Sequence, residues 1–129
     1  MDEIYRALAL ACQKAIELGF EVPEHVSTMD TTFVVGREHL ELFYPGAGHT
    51  IDNSVVWIPE RKILFGGCLV KSTSSTDLGN IADADLIEWP RSIRKIMDKF
   101  PAAEVVIPGH GTSGGMELLQ HTLDLLSVK

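Results

Sequence analysis

The stretch from Gly46 to Lys71 constrains the fold more than any other part of the chain. It reads G-A-G-H-T-I-D-N at Gly46 to Asn53, then S-V-V-W-I, the charged turn Pro59-Glu60-Arg61-Lys62, I-L-F, and G-G-C-L-V-K at Gly66 to Lys71. Two short apolar runs around a polar turn predict a β-hairpin. His49 stands just before the first run and Cys68 just after the second. The glycines beside both remove side-chain bulk and permit tight turns, so each side chain can project from a loop at a strand end. A third residue of this kind, His110, lies in P-G-H-G at Pro108 to Gly111, directly after the apolar run Glu104 to Ile107. Imidazole, thiolate and imidazole at the ends of predicted strands suggest a zinc site.

The remaining segments supply a sheet and its cover. Tyr5, Leu8, Ala9, Cys12 and Ile16 recur at helical spacing and Gly19 follows as a stop, so Tyr5 to Leu18 is expected to be an amphipathic helix with Cys12 on its apolar face. Phe20 to Asp30 reads as a loop. Thr32 to Val35 and His39 to Tyr44 flank Gly36-Arg37-Glu38 and predict a first hairpin. The Val-Val-Trp-Ile run of the second hairpin does not alternate, which predicts burial on both faces. Lys71 to Asn80 is small and polar, a loop able to border a site. A helix is expected from about Asp85 to Phe100, with the stripe Leu86, Trp89, Ile93, Ile96, Met97 and Phe100, and with Pro90 confined to its first turn. A closing helix is expected from about Met116 to Ser127 on Leu118, Leu119, Thr122, Leu123 and Leu126. The order of helix, two hairpins, helix, strand and helix predicts an α/β fold, a mixed sheet covered by helices with the candidate ligands on its edge loops.

Bulk properties remove several function classes. At 129 residues the chain is one domain's length. Its 18 acidic against 11 basic side chains give a formal charge of -7 and leave no basic patch, which argues against a nucleic-acid partner. No run approaches the ~18 apolar residues of a membrane span. The start, Met-Asp-Glu-Ile-Tyr-Arg, is acidic where a secretory signal is basic, so no signal peptide is expected there. Cys12 and Cys68 lie in no cysteine-dense scaffold and do not predict a disulfide.

Four segments in order, G-x-G-H-T-x-D-N, G-G-C-x-x-K, G-N-x-x-D-A and P-G-H-G, resemble the class B metallo-β-lactamases of the subclass whose second zinc is held by a cysteine. The resemblance runs from about Ala7 to the C-terminus. It implies the C-terminal half of the family's αββα sandwich, residues 1–129 forming a single half-domain, and a periplasmic location. By position, His49 would be the third histidine of the three-histidine zinc site, and Cys68 and His110 two of the three ligands of the other zinc. Lys71 would meet the carboxylate of a β-lactam antibiotic, Asn80 would lie near the lactam carbonyl as an oxyanion donor, and Asp83 would anchor a loop. His25 and His39 are expected at the surface, and His121 on the last helix.

The family also carries an H-x-H-x-D motif that supplies two histidines to one zinc and the aspartate to the other, and this sequence contains none. One of three ligands of the first site and two of three of the second fall short of the three that a catalytic zinc takes. The resemblance therefore implies a hydrolase of β-lactams only when the site is completed, by the missing N-terminal half or by a second copy of the chain. The alternative is a catalytically incomplete zinc-binding or structural half-domain. Either way, half a sandwich exposes an apolar face and should associate.

Overall fold

A computed structural model describes residues 13, 15–21 and 30–128. Most of the expected N-terminal helix, Cys12 with it, and most of the loop before Asp30, His25 included, lie outside these residues; 15–17 are helical. Five strands follow: β1 (Thr31–Val35), β2 (Glu38–Phe43), β3 (Val55–Ile58), β4 (Ile63–Gly67) and β5 (Val105–Pro108). Helix α1 (Trp89–Lys99) precedes β5 and helix α2 (Glu117–Ser127) closes the chain. The strands form one sheet in the order β1-β2-β3-β4-β5. Its first three pairings are antiparallel, and β4 pairs with β5 in parallel, Gly67 beside Pro108. Both hairpins and the mixed sheet agree with the expectation from sequence.

The parallel pairing is what the intervening helix makes possible, since a crossover must carry the chain from one end of the sheet back to the other. Helix α1 is set by its cap. Asp85 Oδ1 accepts hydrogen bonds from Ile87 N (3.1 Å) and Glu88 N (2.9 Å), and Asp85 O accepts one from Trp89 N (2.9 Å). The helical bonding thus starts at the expected Asp85, although regular helix begins only at Trp89, and Pro90 falls where its missing N–H costs nothing. Its stripe Trp89, Ile93, Ile96 and Phe100 is buried, with Met97 and Leu86 packed at the margin. From α2, Leu118, Leu119 and Leu126 join it over Val55, Trp57, Leu64 and Val106 of the sheet. Each such large side chain withdrawn from water contributes about 1.5–3 kcal/mol.

The expectation that Val-Val-Trp-Ile is buried on both faces is not met. Val55 and Trp57 are buried, whereas Val56 and Ile58 are only half-buried. Helices cover one face of the sheet and leave the other partly open to water. On that open side the register aligns Leu42, Val56, Phe65 and Ile107 in one row, and Ile58, Ile63 and Val105 in the next.

Candidate metal and substrate site

The ends of β4 and β5 bring the candidate residues together. Beyond Gly67 the chain turns, with Val70 N bonding Gly67 O (3.1 Å), and this turn carries Cys68. Beyond Pro108 lies His110. A cleft between them is lined by Cys68, Val70, Lys71, Ser75, Asp77, Gly79 and His110. Gly111 lies so close to the serine loop that a Cβ would stand 2.6 Å from Ser72 Oγ, and its φ of +87° is the left-handed conformation that glycine tolerates.

Lys71 is buried to 9% exposure at the cleft wall. Its backbone N donates to Thr122 Oγ1 (2.8 Å), and that hydroxyl in turn donates to Leu118 O (2.8 Å), which ties the cleft to α2. Its Nζ lies 5.6 Å from the centroid of Trp89, a cation–π distance. Burial pushes its pKa below the ordinary lysine value, while Cys68 and Asp77 hold it up. The loop beyond is laced by hydroxyls, with Ser72 Oγ at 2.9 Å from Ser74 Oγ and 3.1 Å from Ser75 Oγ.

His49 comes from the loop before β3. Asn53 organises that loop, accepting from Thr50 N (3.0 Å) and donating to Gly46 O (2.8 Å). The imidazole packs edge-on against Trp89, ring centroids 5.7 Å apart. Its Nδ1 is buried and has no hydrogen-bond partner among the described residues. Such a buried polar atom is costly unless something outside the chain satisfies it. Burial lowers its pKa from 6.5; Lys71 and His110 act in the same direction, and Asp83 opposes them.

A neutral His49 makes folding sensitive to acid. Because its native pKa is depressed, the unfolded chain takes up the proton first as the medium acidifies. The stabilisation is complete above about pH 6.5 and is lost as pH falls through the native value. Urea denaturation at a series of pH values should show stability declining on the acid side, and His49→Gln should flatten that decline. An unchanged slope in the variant would assign the acid sensitivity elsewhere.

The other expected residues divide. Asn80 is exposed and lies outside the lining of the cleft, beside Gly79, which is part of it; its Oδ1 accepts from Ala82 N (3.0 Å) as in an ordinary turn. Asp83 is exposed and acts on His49 through charge, whereas the bonds that fix this loop are those of Asp85, whose N also donates to Gly48 O (2.8 Å). The D-x-x-E spacing of Asp85 and Glu88 was the available sign of that cap. His39 is at the surface, bonded to Glu60 (2.7 Å). His121 lies on the last helix as expected and is half-buried, with Nε2 2.7 Å from Ser75 O, so it braces the cleft loop from α2.

As a metal site the donors are incomplete. Cys68 and His110 share the cleft, and His49 holds an unpartnered nitrogen, but among the described residues no group of three or more His, Cys, Asp or Glu side chains is placed to hold an ion. These residues alone do not fit a catalytic zinc.

Similarity to known proteins accords with this partial site. Residues 16–110 match the family model for the metallo-beta-lactamase superfamily. The chain is 46% identical to a metallo-beta-lactamase type 2 of Bacteroides fragilis over 113 residues, 88% of this chain and 45% of that protein. It is 49% identical to the type 2 enzyme of Bacillus cereus over 118 residues, 92% of this chain and 46% of that one. Among solved structures, the metallo-beta-lactamase from Pontibacter korlensis superposes with a TM-score of 0.89 at 48% identity, covering 93% of this chain and 56% of that chain. The chain spans about half the length of the curated relatives it matches. No helix of the described residues is long and apolar enough to cross a membrane. With the mixed sheet, the helices on one face and this close likeness to class B enzymes in agreement, the chain belongs to the metallo-β-lactamase superfamily.

Proposed function

We propose that this chain is the C-terminal half of a zinc-dependent hydrolase that opens the amide bond of β-lactam antibiotics in the periplasm, and that by itself it turns over little or no substrate. The observation that carries the reading is the buried, unpartnered Nδ1 of His49 in the neighbourhood of the Cys68 and His110 cleft, a set of donors that stops short of a site. His49 is the one donor toward the first zinc, Cys68 and His110 are two toward the second, and the rest come from a complementary half bearing H-x-H-x-D. Lys71, a desolvated cation at the cleft wall, attracts the carboxylate of the antibiotic. Asn80, at the cleft margin, is the candidate donor to the lactam carbonyl once its loop closes on substrate.

The test is complementation. The purified chain is assayed for zinc content and nitrocefin hydrolysis, alone and co-expressed with the H-x-H-x-D half of a relative. Hydrolysis should be absent alone and present in the complex, lost in Cys68→Ser, and shifted mainly in KM by Lys71→Ala. Turnover by the chain alone, surviving removal of contaminating lactamase, would refute the proposal, as would a zinc-loaded complex that leaves nitrocefin intact. The absence of a three-donor group among the described residues favours a second reading, a zinc-binding or structural half-domain without chemistry. Zinc retained without turnover in either state supports that one.

A further inference from the structure

We infer that His121 is a positioning residue of the cleft: its hold on Ser75 keeps the loop, and the Asp77 carboxylate that the loop carries, from closing onto Lys71, which leaves this cation free for a carboxylate from outside. The inference rests on the proposed role of Lys71 toward the carboxylate of the antibiotic. Two consecutive side chains of α2 grip the segment at its two ends. Thr122 Oγ1 accepts from Lys71 N (2.8 Å), and His121 Nε2 lies 2.7 Å from Ser75 O. A carbonyl oxygen only accepts, so Nε2 carries the proton of this bond. Between the grips, Ser75 N closes a turn on Ser72 O (3.0 Å).

Beyond Ser75 the chain is exposed until Leu78 returns to the core. Asp77 lies on this exposed stretch, two residues past the His121 bond, and its Oδ1 accepts from Gly79 N (2.9 Å). Lys71 Nζ sits at the same glycine, 3.8 Å from where a Cβ on Gly79 would stand. Both charges line the cleft, and Asp77 already acts on Lys71 through its charge. Yet the ion pairs among the described residues are made by Glu60, Glu38, Glu104 and Glu88, and none of them involves Lys71 or Asp77. An exposed loop moves at little cost once its few anchoring bonds are lost. A small shift of this one would place an internal carboxylate on the cation, in competition with any carboxylate ligand.

The test uses the metal-free chain in chelator, in a Cys12→Ser background that leaves Cys68 as the single thiol. Cys68 is labelled with an aromatic disulfide bearing two carboxylates and, separately, with a neutral one. The reactivity of the thiol itself enters both rates, so their ratio reports the unpaired positive charge beside it. His121→Ala should lower that ratio about fivefold, the weight of one unit charge at about 4 Å in water. Lys71→Met should lower it at least as far. His121→Gln carries an amide N–H at the height of Nε2 and should keep the ratio within about twofold of wild type, whereas His121→Asn stops at the height of Nδ1 and should match alanine. In an Asp77→Asn background, His121→Ala should leave the ratio unchanged. Far-UV circular dichroism establishes that each variant is folded, and the asparagine and glutamine pair carries the comparison if alanine is not. A ratio that His121→Ala and His121→Asn leave alone while Lys71→Met lowers it overturns this inference and spares the role of Lys71. So does a loss that persists in the Asp77→Asn background, as a purely structural prop would give. A ratio that Lys71→Met itself leaves unchanged overturns both.

Discussion

Trp89→Ala is expected to destabilise the protein by about 3–5 kcal/mol, the cost of deleting a large buried aromatic. Domain stabilities total only about 5–15 kcal/mol, so the variant should lose a large share of its stability, and nearly all of it if the domain lies at the low end of that range. Trp89 is fully buried, and its indole Nε1 donates to Leu69 O at 2.9 Å. One face of the ring lies beneath Lys71 and His49 meets it edge-on. A Cβ on Gly48 would come within 3.1 Å of its ring. One side chain thus supports both the loop that carries His49 and the turn between Cys68 and Lys71. Trp89→Phe separates the two contributions, because it keeps most of the apolar contact and leaves the buried Leu69 carbonyl without its donor, at about 1–3 kcal/mol. Urea denaturation followed by circular dichroism measures both variants. A loss below about 1 kcal/mol for alanine would mean that the cleft rests on other contacts.

What the sequence made legible follows from local physics. Helical stripes, the two charged or glycine turns and the strand ends carrying His49, Cys68 and His110 are all written within a few residues of one another, and they were placed to within a few positions. Trp89 was recognised as core by its spacing alone. The fate of the second face of β3 was not legible, because Val-Val-Trp-Ile records that both sides are apolar and not which elements are present to cover them. The bracing role of His121 is not legible for a related reason. Its partner, Ser75 O, is 46 residues away in sequence, and a backbone carbonyl leaves no residue-type signal. Asp83 and Asp85 were hard to distinguish, since each is an aspartate beside the same loop, and only the bonds to Ile87 N and Glu88 N show which one caps the helix.

Gly109 unites sheet register with the cleft, and Gly109→Ala is expected to cost about 1–3 kcal/mol, the range for forcing extra atoms into a packed site. The parallel pairing of Gly67 with Pro108 lays the P-G-H-G loop directly over the turn that holds Cys68. A Cβ on Gly109 would stand 2.5 Å from Cys68 Sγ, 2.6 Å from Cys68 N and 2.8 Å from Cys68 Cα. The thiol alone could rotate away, but the nitrogen and Cα are backbone, so relief requires the ends of β4 and β5 to separate. That separation moves the Cys68 side chain relative to His110, and the accessibility of the thiol should change along with stability. The comparison is Gly36→Ala in the β1–β2 turn, where a Cβ meets nothing within 4 Å and only the φ of +63° resists it. Denaturation midpoints and the rate of Cys68 labelling by an aromatic disulfide distinguish the two. Gly109→Ala should lower the midpoint more and alter the labelling rate, whereas Gly36→Ala should leave that rate at the wild-type value. Equal midpoints and equal rates would show that Cys68 and His110 are held in register by something other than the close approach at Gly109.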